Sequence, residues 1–240
     1  MKERYKNNVG TLISEENQEQ LLKMDFAVLG CGGQGGYIID FLCRLGVHKI
    51  VIFDGDVFEE SNLNRQLGAT ESTIGENKAL VMQKYISSIN ADVEIVAIDH
   101  YFGQSKDDLN LVLMCNFVFD EMDYSAQAMN ARMYLRTVLE NNIPITAGYN
   151  ELFGSCISIL TINDLDIFDI ITQQILQKNT NQFVNNTIAQ PAYTCAATAS
   201  LEVFSMIKLF LGGKHAPVGE FYHFDFYHNV INKEDRFGQY

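Results

Sequence analysis

An α/β fold is what this 240-residue sequence predicts: a Rossmann-like, doubly wound, mostly parallel sheet with an antiparallel C-terminal extension. Three observations carry that expectation. Apolar runs alternate with helix-period stretches from Asp25 onward, the first run ends in a glycine-rich turn that opens a helix, and after Gly148 the rhythm changes to successive strand-like runs.

The elements follow in order. Asp25 to Leu29 is a short apolar strand ending at Gly30, and Gln34 to Leu45 carries apolar residues at helical spacing until Gly46 stops it. Lys49 to Phe53 is a β-branched run ending at Asp54, so Asp25 to Asp54 forms one βαβ unit of the usual ~30 residues. Helix Glu76 to Ile89, strand Val93 to Ile98, helix Lys106 to Leu113, strand Phe117 to Phe119, helix Ser125 to Asn141 and strand Ile145 to Ala147 continue the alternation. Beyond Gly148, Gly154 to Ile162 reads as an added strand and Asp164 to Lys178 as a helix. Asn179 to Ala192, rich in Asn, Gln and Thr, reads as a polar crossover loop. Thr194 to Leu211 is a long helix closed by Gly212 and Gly213, and Phe221 to Phe226 with Asn229 to Asn232 form a terminal hairpin.

Composition bounds the rest. With 47% hydrophobic and 20% charged residues the chain can fill one large core, so one domain is expected over 1–240. It divides into an N-terminal arm (1–24), a nucleotide-binding part (25–148) and a C-terminal part (149–240). Met1 to Gly10 is polar, which argues against a signal peptide, and Leu201 to Leu211 is interrupted by Glu202, Ser205 and Lys208 too soon for a membrane span. A cytoplasmic protein without membrane partners is expected. The formal charge of -13 argues against a nucleic-acid backbone as main partner, because phosphate neutralisation needs clustered Lys and Arg. The five cysteines are scattered without a C-x-x-C pair, so reduced, buried thiols are expected and zinc is not.

The first chemical motif is Gly30-Cys31-Gly32-Gly33-Gln34-Gly35-Gly36, which fits G-x-G-x-x-G from Gly30, Gly32 and Gly35. Glycines let the backbone turn tightly and approach a phosphate, while the helix that follows offers free N–H groups and a positive dipole end. Asp54, 19 residues after Gly35 and at the end of the second strand, stands where a carboxylate accepts hydrogen bonds from a ribose hydroxyl. Alone, these features also suit a nicotinamide-dependent oxidoreductase.

A second cluster separates the two uses. Asp54-Gly55-Asp56 leads through Ser61-Asn62-Leu63-Asn64-Arg65-Gln66 to Lys78, placing Asn, Arg, Gln and Lys beside the phosphates. The planar donor fork of Arg65 and the point charge of Lys78 suit a polyphosphate that gains charge during transfer, and hydride transfer needs neither.

These residues, with Gly75-Glu76-Asn77-Lys78 and Phe119-Asp120-Glu121-Met122-Asp123, give the chain a resemblance over nearly its whole length to the ThiF/MoeB/HesA adenylyltransferases, relatives of the ubiquitin-activating enzymes. The resemblance implies ATP-dependent adenylation of a carboxylate with release of pyrophosphate. Asp54 would hold the ribose, Asn62, Arg65 and Lys78 the triphosphate, and Asp123 a magnesium ion. Arg65, Lys78 and Asp123 would be the catalytic residues, with Gly33, Asp56 and Gln66 completing the nucleotide site. The implied acceptor is the C-terminal glycine of a small ubiquitin-like sulfur-carrier protein, with a peptide or a modified tRNA base as further carboxylates, and the implied assembly is a homodimer.

The sequence departs from the family pattern in three places. Asn7, in Arg4-Tyr5-Lys6-Asn7, stands where many relatives carry a second Arg that reaches the partner subunit's ATP. The paired C-x-x-C of zinc-bearing relatives is missing, and Asn163 to Tyr193 has no cysteine for a thioester or persulfide step. Cys195, at the start of the last helix, reads better as a small buried residue, and Cys31 as packed and inert. Asn7 and the cysteine-free loop also leave room for a non-catalytic binding module built on the same fold.

Overall fold

The computed structural model describes residues 2–10, 13–123, 125–150, 154–178, 190–212 and 216–234. Five parallel strands form the first part of the sheet: β1 (Asp25–Leu29), β2 (Lys49–Phe53), β3 (Glu94–Ile98), β4 (Phe117–Asp120) and β5 (Ile145–Asn150). Three antiparallel strands extend it: β6 (Gly154–Leu160), β7 (Phe221–Asp225) and β8 (Val230–Glu234). The order is β3-β2-β1-β4-β5-β6-β7-β8, so the chain reverses direction across the sheet between β1 and β4. Ligands of open α/β sheets bind at that reversal.

The helices are α1 (Glu15–Leu21), α2 (Gly35–Leu45), α3 (Lys78–Ile89), α4 (Lys106–Leu113), α5 (Ala126–Arg132), α6 (Leu135–Glu140), α7 (Leu165–Lys178) and α8 (Ala192–Phe210). One face of the sheet presents Phe26, Val28, Ile50, Ile52, Phe117 and Phe119 to a core shared with α2, α3 and α8. The other presents Ala27, Leu29, Val51, Phe53 and Val118 to a core shared with α4, α6 and α7. Strands buried on both faces read as continuous apolar runs, which is why β1 and β2 were legible.

The structure corrects several boundaries. The expected helix Ser125 to Asn141 is two helices. At Met133 and Tyr134 the amides bond to Asn130 and Ala131, three residues back, and this tighter turn brings Tyr134 edge-on to Phe102. The expected strand to Ile162 stops at Leu160, after which Thr161 caps a short 3-10 turn by accepting and donating bonds with Asp164. The arm before β1 is more ordered than its polarity suggests: Ser14 and Asn17 form a capping box for α1, and Tyr5 is buried against Gly46. Of the crossover loop, residues 179–189 lie outside the described residues. Among the described residues no helix is long and apolar enough to cross a membrane.

Candidate active site

The turn between β1 and α2 is set by two glycines. Gly30 has φ +114°, and a Cβ there would lie 2.5 Å from the carbonyl oxygen of Glu121. A Cβ on Gly35 would lie 2.0 Å from the carbonyl oxygen of Gly30. Any side chain at either position would push the loop off the end of β1. Gln34, the residue before α2, supplies no side-chain cap, and the N–H groups of Gly32, Gly33 and Gln34 have no hydrogen-bond partner among the described residues. The loop therefore points unspent donors outward.

Gly32, Gly33 and Gln34, which carry those donors, line a cleft of about 790 Å³, a size usual for small-ligand sites. Of the residues singled out from sequence, Gly30, Gly32, Gly33, Asp54, Asp56, Asn62, Arg65, Gln66, Lys78 and Asp123 all line it. Gly35 stands behind the loop, as its packing on Gly30 requires.

Individual side chains are committed to different degrees. Asp54 accepts from Cys31 N–H at 2.7 Å and from Asp56 N–H at 2.9 Å, so it braces the glycine loop against β2. Each of its oxygens keeps a second lone pair for a ligand. Burial raises its pKa, opposed by those two backbone bonds and by Lys78. Asn62 is used mainly by its own turn, accepting from Glu59 N–H at 3.0 Å and donating to Ser61 Oγ at 3.3 Å. Arg65 Nη1 bonds Ser61 O and Asn64 Oδ1, whereas its Nε is buried without a partner, as are Gln34 Nε2 and Gln66 Oε1. Lys78 is buried and pairs with Asp56 at 3.3 Å.

Asp123 is exposed and accepts from Ser125 N–H at 2.9 Å, immediately before Ser125 caps α5. Asp120 is spent on Arg132, whose guanidinium also donates to the carbonyls of Met122 and Asp123. Cys31 and Cys195 are both buried, and burial pushes the Cys31 thiol well up. At the N-terminus Arg4 is held by Asn90 and Asp92, and Asn7 is exposed.

Three residues of the cleft had no role assigned from sequence. Arg132 sits inside a stretch expected to be one helix, and its signal was a lone Arg among Ala and Met. Tyr101 packs on Gly55 and donates to Asp56. Glu121 lies against Glu202 of α8 and next to the glycine loop. Nothing local in the sequence marks the contacts of these last two, since their partners are 45 and 81 positions away.

The description "ThiF family" belongs to the family model that matches residues 5–236. Among curated relatives, a tRNA threonylcarbamoyladenosine dehydratase of Bacillus subtilis is 30% identical over 133 residues, covering 55% of this chain and 51% of the relative. A sulfur carrier protein adenylyltransferase of Thermus thermophilus is 36% identical over 85 residues, covering 35% of this chain and 31% of the relative. The matched part is thus about half the length of the first relative, or less. Among solved structures, E. coli MccB with ATP superposes with a TM-score of 0.76 over 98% of this chain and 72% of the other, at 20% identity, a likeness of fold.

Proposed function

The chain belongs to the ThiF family, and from that premise we propose that it binds ATP with magnesium in the cleft and adenylates a carboxylate, releasing pyrophosphate. The observation that carries the reading is the set of unspent donors around one glycine loop, the amides of Gly32 to Gln34 and the buried, unpartnered Arg65 Nε and Gln34 Nε2, beside the ammonium of Lys78, whose one partner among the described residues is Asp56 at 3.3 Å. Such donors satisfy phosphate oxygens, and a nicotinamide dinucleotide would leave Arg65 and Lys78 without a task.

In this reading Asp54 takes the ribose hydroxyls, the loop amides with Arg65 and Lys78 take the triphosphate, and Asn62 and Gln66 fix the wall that carries Arg65. The acceptor carboxylate oxygen attacks the α-phosphorus, the bond from that phosphorus to the bridging oxygen breaks, and pyrophosphate leaves with the electron pair. Arg65 and Lys78 offset the charge that gathers on the leaving group, and no side-chain nucleophile is needed. Asp123, exposed at the cleft, fits a magnesium ion that needs one or two carboxylates besides phosphate and water oxygens, and that ion would lower the charge barrier to attack.

For the acceptor we favour the C-terminal glycine of a ubiquitin-like sulfur-carrier protein, in keeping with the name of the Thermus relative. A modified tRNA base is the second reading, supported by the name of the Bacillus relative and opposed by the charge of -13. The exposed apolar side chains Val57, Leu63, Ile74 and Leu80 around the Arg65 segment support a homodimer, and an ATP-consuming enzyme of this kind would work in the cytoplasm. Titration calorimetry tests the nucleotide assignment: binding of ATP-magnesium in preference to NAD is expected, and NAD binding without ATP binding would contradict it.

A further inference from the structure

Asp56 serves two donors at once. Lys78 Nζ reaches its Oδ2 at 3.3 Å, and the Tyr101 hydroxyl donates a hydrogen bond to its Oδ1. The main chain of Asp56 cannot shift to favour either. Its N–H is bonded to Asp54 Oδ1 at 2.9 Å, and its carbonyl accepts from Lys78 N–H at 2.9 Å and from Asn77 Nδ2 at 3.2 Å. Only the carboxylate can choose between its partners.

Tyr101 is placed for this contact by its neighbour. Its ring lies where a Cβ on Gly55 would come within 2.8 Å of it, so the glycine between the two aspartates is what admits the ring. The bond to Asp56, burial, and the charges of Asp56, Asp54 and Asp123 all push the hydroxyl pKa up, which keeps it a donor. Meanwhile the Lys78–Asp56 contact of 3.3 Å is longer than the 2.7–2.9 Å of a tight charge-assisted bond.

We propose that Tyr101 is a positioning residue acting through Asp56: its hydroxyl draws the carboxylate away from Lys78 and leaves the ammonium free to bind the triphosphate. This rests on the adenylation reading above. Without the hydroxyl, Asp56 closes on Lys78 and competes with phosphate for it.

The test is a set of four proteins, wild type, Tyr101→Phe, Asp56→Asn and the double variant, titrated with ATP-magnesium and assayed for adenylation. Phe keeps the ring on Gly55, so packing is preserved. The expected result is ATP affinity about fivefold weaker in Tyr101→Phe, with KM for ATP raised and kcat little changed. Asp56 itself lines the nucleotide site, so Asp56→Asn serves as the reference background: with the carboxylate gone, loss of the hydroxyl should cost nothing further, and the double variant should match Asp56→Asn in ATP affinity. Unchanged affinity in Tyr101→Phe, or a further loss in the double variant relative to Asp56→Asn, would overturn the inference while leaving the adenylation reading intact. A wild type that binds no ATP would overturn both.

Discussion

Arg132 grips Asp120 with two prongs, Nε to Oδ2 at 2.6 Å and Nη2 to Oδ1 at 3.1 Å, and both residues are buried. The same guanidinium donates to Asp123 O at 2.7 Å and to Met122 O, so one side chain fixes the segment that carries Asp123 into the cleft. Replacing it leaves the Asp120 carboxylate buried and uncompensated. Arg132→Ala is expected to lower the unfolding free energy by about 3–5 kcal/mol in a urea titration. Arg132→Lys should recover only part of that, because an ammonium cannot make the planar two-pronged contact.

Glu202 gives the protein a pH-dependent weakness. It is fully buried against Glu121, accepts from Thr146 Oγ1 at 3.1 Å, and burial pushes its pKa from 4.5 up to about 8. Between those values the folded state holds a proton that the unfolded chain has released, so stability must fall as pH rises from about 4.5 to about 8, and Glu121, whose pKa burial and the facing Glu202 also raise, adds to the fall. Thermal denaturation across pH 5 to 8 is expected to show a falling midpoint, and Glu202→Gln, which cannot ionise, should flatten that slope. An equal slope in both proteins would contradict the assignment.

What the sequence made legible was whatever is local. The runs of β1 and β2, the glycine loop and the Asn62 to Gln66 segment each carry their signal within a few neighbouring residues, and the structure gathers them at one cleft. Long-range contacts were not legible. Helix α1 has few apolar residues to set a period, yet its Gln18 is buried and donates to Leu45 O at 2.7 Å. Helix α8 begins two residues before the expected Thr194, with Pro191 in extended conformation immediately before its first turn. The part Asn62 plays in its own turn was not legible either: its amide oxygen accepts from Glu59 N–H and closes the turn that leads to Arg65.

Gly33 and Cys195 are matched in size. A Cβ on Gly33 would lie 2.9 Å from Cys195 Sγ and 3.6 Å from Arg65 Cδ. Gly33→Ala is therefore expected to cost about 1–3 kcal/mol of stability and to weaken ATP binding by displacing the loop or Arg65. Adding Cys195→Ala should restore most of both. Cys195→Ala alone should keep adenylation, because the proposed half-reaction needs no thiol. Thermal denaturation and ATP titration of the three variants check this.

In the proposed reaction AMP passes from ATP to a carboxylate, with charge offset by Arg65, Lys78 and the magnesium ion that Asp123 would hold. The most direct measurement is ATP–pyrophosphate exchange with three acceptors in parallel: a ubiquitin-like carrier ending in glycine, a peptide, and tRNA. Wild type, Arg65→Ala and Asp123→Ala are compared in each. The account predicts exchange that depends on one acceptor and falls by about a hundredfold or more in each variant. Exchange that survives both substitutions, or that no carboxylate acceptor elicits, would contradict it.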